Sequence, residues 1–369
     1  MSVQYRNWLS RVLLKPFFER QTLDPHQPSW LSKPVGLFEK YFMRIESEHI
    51  PVDRPIFLIG NARSGSTMLQ DILCSHPDMA YFTNTMNEFP ECICAAETLR
   101  KLFRLDVGGE RFQKDSVSVS AGSASEGTNL WRSVLRPGPE ITTEIKAYQK
   151  SELEESQVTE IHNLVRRTLW CFGARPNGKS ASKRFFNKNM AFRMLAPLWQ
   201  ELYPDARFIH LIRDPRQVAN SIVKMNRLAK EHQERVANGS TLDPKNFVAE
   251  AQMEESDTDA LQEQAIREAS HYWNSMTMFV QKFKSEANFI HEVRYEDILD
   301  NPRDQIEEIR KFCDLSPVND KESLYWRKID RVGDLKHSNT YDNFHLIASI
   351  CWKNMREYGY LEKPDTDDS

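Results

Sequence analysis

The chain has 369 residues, 40% of them hydrophobic and 28% charged, which is enough to bury one large core or one core with a helical annex. A formal net charge of −4 gives no general drive towards nucleic acid, and no uninterrupted apolar run approaches the ~20 residues of a membrane-spanning helix. The six cysteines (74, 92, 94, 171, 313, 351) have neither disulfide-framework nor zinc spacing, the ten histidines show no metal pattern, and reduced thiols in a cytoplasmic setting are expected.

Residues 1–50 are expected as a helical lead-in rich in aromatics and prolines, with the main domain over 51–369. Within the lead-in, Trp8, Leu9, Val12, Leu13, Phe17 and Phe18 form one face of an amphipathic helix. Arg11, Lys15 and Arg20 interrupt what would be the apolar centre of a signal peptide. Two roles stay open for residues 6–20: packing on the main domain, or peripheral contact with a membrane.

The most telling stretch is Pro55–Thr67, PIFLIGNARSGST. Ile56–Ile59 reads as a buried strand, and Met68, Leu69, Ile72 and Leu73 recur on one face of a following helix. The turn between them offers backbone N–H groups and a helix N-terminus to an oxyanion. Gly60 to Gly65 has the spacing of GxxxxGK[ST], but Ser66 stands where the nucleoside-triphosphate lysine belongs, ahead of Thr67. Arg63 is the cation inside the loop. Gly108–Ser125 is polar and small and reads as an irregular surface loop. Phe208–Ile212 is a second strand, followed by Asp214-Pro215 as N-cap and N1 of a helix that buries Val218, Ile222 and Met225. Arg213 sits at that strand's carboxyl end, where open α/β sheets bind ligands, and Ser221 lies two helical turns on. Residues 227–262 are dominated by charged and amide side chains and read as a polar helical or lid insertion. Phe289–Val293 is a further strand. The expected fold class is α/β, a P-loop-like three-layer fold with a central parallel sheet flanked by helices.

Together these segments resemble the sulfotransferases that use 3′-phosphoadenosine 5′-phosphosulfate (PAPS), in the bacterial-type, carbohydrate- and tyrosyl-protein-sulfotransferase-like branch. Arg63-Ser64-Gly65-Ser66-Thr67 is similar to that family's 5′-phosphosulfate loop, with Asn61-Ala62 in place of its usual lead-in. Ile212-Arg213-Asp214-Pro215 through Ser221 is similar to its 3′-phosphate site. His76-Pro77-Asp78, Phe186-Asn187-Lys188-Asn189, Tyr295-Glu296-Asp297-Ile298 and Met355–Tyr360 follow in family order, so the resemblance spans roughly residues 54–360.

The resemblance implies PAPS as donor, its product adenosine 3′,5′-bisphosphate (PAP), and no metal. It implies donor contacts from Arg63, Ser64, Gly65, Ser66, Thr67, Arg213 and Ser221, and from Lys336, His337, Ser338 and Asn339 in a closing loop. Sulfuryl transfer has a loose, in-line transition state, so catalysis is mainly positioning and charge stabilisation. Arg63 suits the charge growing on the leaving phosphate, and Lys188 lies either near that charge or at the surface. An acceptor hydroxyl also needs a base. Tyr81–Thr85 lacks the glutamate of the tyrosine-modifying branch. Glu126, in a Ser125-Glu126-Gly127…Trp131 segment at the end of a flexible polar loop, is therefore the first candidate, Glu88 the second and His76 a distant third. Trp352 and Tyr341 read as core or loop packing. A nucleotide kinase and a non-catalytic nucleotide-binding relative are the alternatives. The expected acceptor is a small molecule, lipid or sugar; the oligomeric state is not legible.

Overall fold

Apolar runs of five or six residues, flanked by turn residues, become strands because both of their faces can be covered. The computed structural model describes residues 4–18, 32–110, 118–135, 148–176, 183–188, 195–224, 258–333 and 343–361. Its strands are β1 (Gln4–Tyr5), β2 (Ile56–Gly60), β3 (Met79–Tyr81), β4 (Val107–Glu110), β5 (Ser118–Ser120), β6 (Arg184–Lys188), β7 (Arg207–Ile212) and β8 (Ile290–Arg294). Five of them form a parallel sheet in the order β3-β6-β2-β7-β8.

Side chains alternate between two cores, as the two-residue period of a strand requires. Ile56, Leu58, Phe186, Ile209 and Leu211 face the helices Ser66–Leu73, Pro302–Phe312 and Leu324–Ile329. Phe57, Ile59, Phe185 and Phe208 face Thr128–Val134, Glu155–Cys171 and Ala196–Leu202. A third cluster joins the helix over 215–224 to Thr258–Glu286 and Phe344–Glu357 through Val218, Ala219, Trp273, Ile347 and Met355. None of the described helices is long and apolar enough to cross a membrane.

Three sequence expectations are corrected here. Gly108–Ser125 is not wholly irregular: β4 and β5 pair antiparallel, Gly108 opposite Ser120, and β1 adds to β4. The alternating Ser-Val run suits a strand, and Val107 and Ala121 are buried against Leu14 of the helix Trp8–Phe18. The lead-in is therefore not purely helical. The helix Thr258–Glu286 overlaps the end of the polar stretch 227–262; residues 225–257, with Met225 and most of that stretch, lie outside the described residues. Last, Trp352 is exposed rather than packed.

The short motifs act as ties between elements. The His76 Nδ1 accepts the Asp78 N–H at 3.1 Å, which leaves its Nε2–H to donate to the Ser316 carbonyl at 2.9 Å. Burial lowers the pKa of this imidazole, and both its nitrogens are engaged, so His76 is a turn residue. Buried Glu296 accepts the Asp214 N–H at 3.1 Å and the Tyr360 hydroxyl at 2.9 Å. Burial and the Glu296 charge push the Tyr360 phenol far upward, so it stays a proton donor.

Candidate anion-binding and catalytic site

The site lies at the carboxyl ends of β2, β6, β7 and β8, and each end contributes a different group. After β2 the chain turns through Arg63 at φ 66° and Gly65 at φ 86°, both left-handed, before the helix Ser66–Leu73 begins. Turns of this conformation can form a concave nest of backbone N–H groups. The first N–H groups of the helix precede its intrahelical ladder, which starts at Met68 N–H to the Gly65 carbonyl. Ser64 is buried and its hydroxyl oxygen has no hydrogen-bond partner.

Gly65 is there for two reasons. Its φ favours glycine, and an added Cβ would come within 2.2 Å of the Tyr295 ring. Tyr295 follows β8 directly and also supports the Arg213 guanidinium, 4.4 Å above its ring centroid. A Gly65→Ala variant is accordingly expected to lose about 1–3 kcal/mol of stability, read as a lower midpoint in urea.

After β7, Asp214 caps the helix over 215–224 as the sequence predicts, its carboxylate accepting the Arg216 N–H at 2.9 Å. This fixes Arg213 at the strand end, where the Trp273 indole N–H donates to its carbonyl at 3.0 Å. Arg213 Nη1 in turn donates to the Arg63 carbonyl at 3.2 Å, and Arg63 Nε to the Ser221 hydroxyl at 3.0 Å. Two segments 150 residues apart in sequence thus converge. Arg213 Nε is buried without a hydrogen-bond partner, so a donor is left to meet an anion.

After β6, Lys188 is only 4% exposed, so it is not a surface lysine. Its ammonium pairs with the Glu126 carboxylate at 2.6 Å and donates to the Thr67 hydroxyl at 3.2 Å. Glu126 is held rather than carried on a flexible loop, contrary to expectation. Ser125 N–H donates to the Phe82 carbonyl at 2.7 Å, and Asn187 Nδ2 to the Glu126 carbonyl at 3.2 Å. Asn187 is itself oriented by the indole N–H of buried Trp131 at 3.1 Å. Gly127 is left-handed at φ 71°, and an added Cβ would come within 2.4 Å of the Phe82 ring.

The structure therefore brings together Arg63, Ser64, Gly65, Ser66, Thr67, Lys188, Arg213, Ser221 and Glu126. Glu88, half-buried at the end of the helix Asn84–Glu88, belongs to a neighbouring element, linked through Asn87 to Asn129 at 3.0 Å. Lys336, His337, Ser338 and Asn339, as well as Asn189 and Tyr341, lie outside the described residues. Tyr295, Asn187 and Trp131 carry roles here that their sequence motifs alone do not assign. The available signal was position, since Tyr295 and Asn187 stand at the carboxyl ends of strands of this sheet.

The family model of the Sulfotransferase family matches residues 55–320. The omega-hydroxy-beta-dihydromenaquinone-9 sulfotransferase Stf3 of Mycobacterium bovis and that of Mycobacterium tuberculosis are each 25% identical over 205 residues, 54% of this chain and 52% of theirs. The chain thus spans about half the length of the curated relatives it matches. Among solved structures, the sulfotransferase STF1 of Mycobacterium tuberculosis aligns over 90% of this chain and 82% of its own, with 17% identity and a TM-score of 0.47. STF9 of Mycobacterium avium aligns over 88% and 81%, with 15% identity and a TM-score of 0.48.

Proposed function

The chain belongs to the sulfotransferase family, and from that premise we propose that it moves the sulfuryl group of PAPS to a hydroxyl or amine of a small-molecule, lipid or sugar acceptor. The observation that carries this reading is the convergence of Arg63, Arg213 and Ser221 around unpartnered buried donors. Such a cluster suits a ligand with two separate anionic groups. The orphaned Ser64 hydroxyl and Arg213 Nε fit the oxyanions of a 3′,5′-substituted nucleotide. On this reading the fold is P-loop-like, with Ser66 in the lysine position of that loop, which disfavours a kinase. Residues 51–369 would form the transferase domain with the insertion about 227–262. A cytoplasmic setting, with residues 6–20 touching a membrane surface, goes with it.

The donor, when bound, supplies the sulfuryl group and a phosphate leaving group. Arg63 and the N–H groups of Ser64–Thr67 would neutralise charge on that phosphate, and Arg213 and Ser221 would hold the 3′-phosphate. Lys336, His337, Ser338 and Asn339 are proposed to close over the nucleotide. Lys188 would bring a second positive charge, and Glu126 would accept the acceptor's proton. The curated relatives are named for an omega-hydroxy compound; we carry over to this chain a hydroxyl-bearing acceptor.

Arg213→Ala and Ser221→Ala test the donor site. Each charge-assisted bond is worth about 1.5–3 kcal/mol, so PAP affinity should fall by roughly 10- to 150-fold per variant in calorimetric titration. Adenosine 5′-phosphosulfate, which lacks the 3′-phosphate, should bind wild type and variants alike. Equal wild-type affinity for ligands with and without the 3′-phosphate overturns the assignment. Thermal stabilisation by PAP without magnesium, against none by ATP with magnesium, separates this reading from the kinase.

A further inference from the structure

The helix Ser32–Phe42 is fastened to the domain by one side and leaves the other open. Its inner side is Ser32, Val35 and Glu39, spaced three and four residues apart as one helical face requires. Buried Glu39 accepts the Ala95 N–H at 2.8 Å, inside the first turn of the helix Ile93–Leu102, and forms an ion pair with Arg167. Val35 packs on the cluster of Phe89, Cys92 and Ala96, and Cys92 Sγ lies 3.9 Å from the Ser32 carbonyl. These contacts fix how the helix is rotated.

The outward side carries Leu37, Phe38, Tyr41 and Phe42, 56, 37, 67 and 79% exposed, at spacings i, i+1, i+4 and i+5. Phe38 and Phe42 stack at 5.8 Å. Beside this stripe stand exposed Lys33 and Lys40, seven residues apart and hence on one line along the helix. Glu39 is the one acidic residue of the helix, and it points inward, so the open side is apolar and positive throughout. The helix Trp8–Phe18 repeats the combination, with exposed Trp8 and Val12 set beside exposed Arg11 and Lys15 and no acidic residue.

We propose that the open side of Ser32–Phe42 docks on an anionic lipid surface, its aromatics entering the headgroup region and Lys33 and Lys40 meeting lipid phosphates. Aromatic side chains favour that boundary, and a basic line next to an apolar stripe is the pattern of a helix lying in it. A second copy of this chain fits less well, because two such sides would set lysines against lysines. The proposal does not depend on the chemistry of the site described above.

The test is cosedimentation of the full chain with vesicles of equal parts phosphatidylglycerol and phosphatidylcholine, and with phosphatidylcholine alone. Binding to the mixed vesicles is expected, weaker on phosphatidylcholine and weakened by salt. Phe38→Ser combined with Phe42→Ser should reduce partitioning about tenfold or more. Lys33→Glu with Lys40→Glu should abolish the preference for anionic vesicles. All four side chains are exposed, so thermal midpoints and PAP affinity should stay at wild-type values. Failure to bind either vesicle overturns the proposal. So does a dimer in sedimentation velocity that the aromatic variants dissolve, which would assign the surface to a second copy.

Discussion

Arg63→Ala should lower turnover about 10²- to 10³-fold, the loss typical of removing one donor that stabilises charge developing in a transition state. The geometry makes the comparison clean. The left-handed backbone at φ 66° is no harder for alanine than for arginine, and Arg213 is bonded to the backbone carbonyl of residue 63, which the variant keeps. The Ser221 hydroxyl does lose its Arg63 partner, a contact outside the reacting bond. Single-turnover transfer from labelled PAPS should therefore slow, while PAP affinity changes much less. Arg63→Lys retains a charge and should recover part of the rate. A raised KM with unchanged kcat would instead make Arg63 a uniform binding contact.

The second large effect is expected at Glu126. Glu126→Gln should reduce turnover about 10²-fold or more, the magnitude of general-base catalysis, with PAP affinity preserved. The 2.6 Å pair with Lys188 sharpens this prediction. While that pair is closed, the Lys188 ammonium occupies the carboxylate that would meet the acceptor's hydroxyl. Lys188 already reaches Thr67 in the first turn of the helix Ser66–Leu73, so the donor phosphate proposed to sit there would draw its charge away from Glu126. Glutamine is isosteric and still accepts a bond from Lys188, so the loop geometry survives the exchange. Near-normal turnover would transfer the role to Glu88.

What the sequence made legible was local. β2 and β7 were readable because apolar runs meet turn residues and helical periodicity within twenty residues, and Arg63 and Arg213 follow from their position at the strand ends. The pairing of Lys188 with Glu126 was not readable, because it depends on β6 lying next to β2, an order fixed by packing across both faces of the sheet. Trp131 illustrates the same limit. In sequence it is an aromatic in a helix; folded, it orients Asn187 and through it the backbone of Glu126. The small Ser-Val run misled in the other direction, since its strand character appears only when β4 supplies a partner. Glu39 gave no signal at all, because a glutamate among lysines and aromatics reads as solvated until Ala95 and Arg167 are placed beside it.

The tie from Tyr360 to Glu296, and from Glu296 to the Asp214 amide, has a bearing on how the protein is made. A ribosome delivers the loop at Arg63 and the strand ending at Arg213 long before it delivers Tyr360. Until then Glu296 lacks one of its two partners, and the start of the helix that carries Ser221 is less firmly held. At the donor site proposed above, nucleotide affinity would be acquired late by the nascent chain, and retention of PAP by stalled intermediates of increasing length should rise once Tyr360 has emerged.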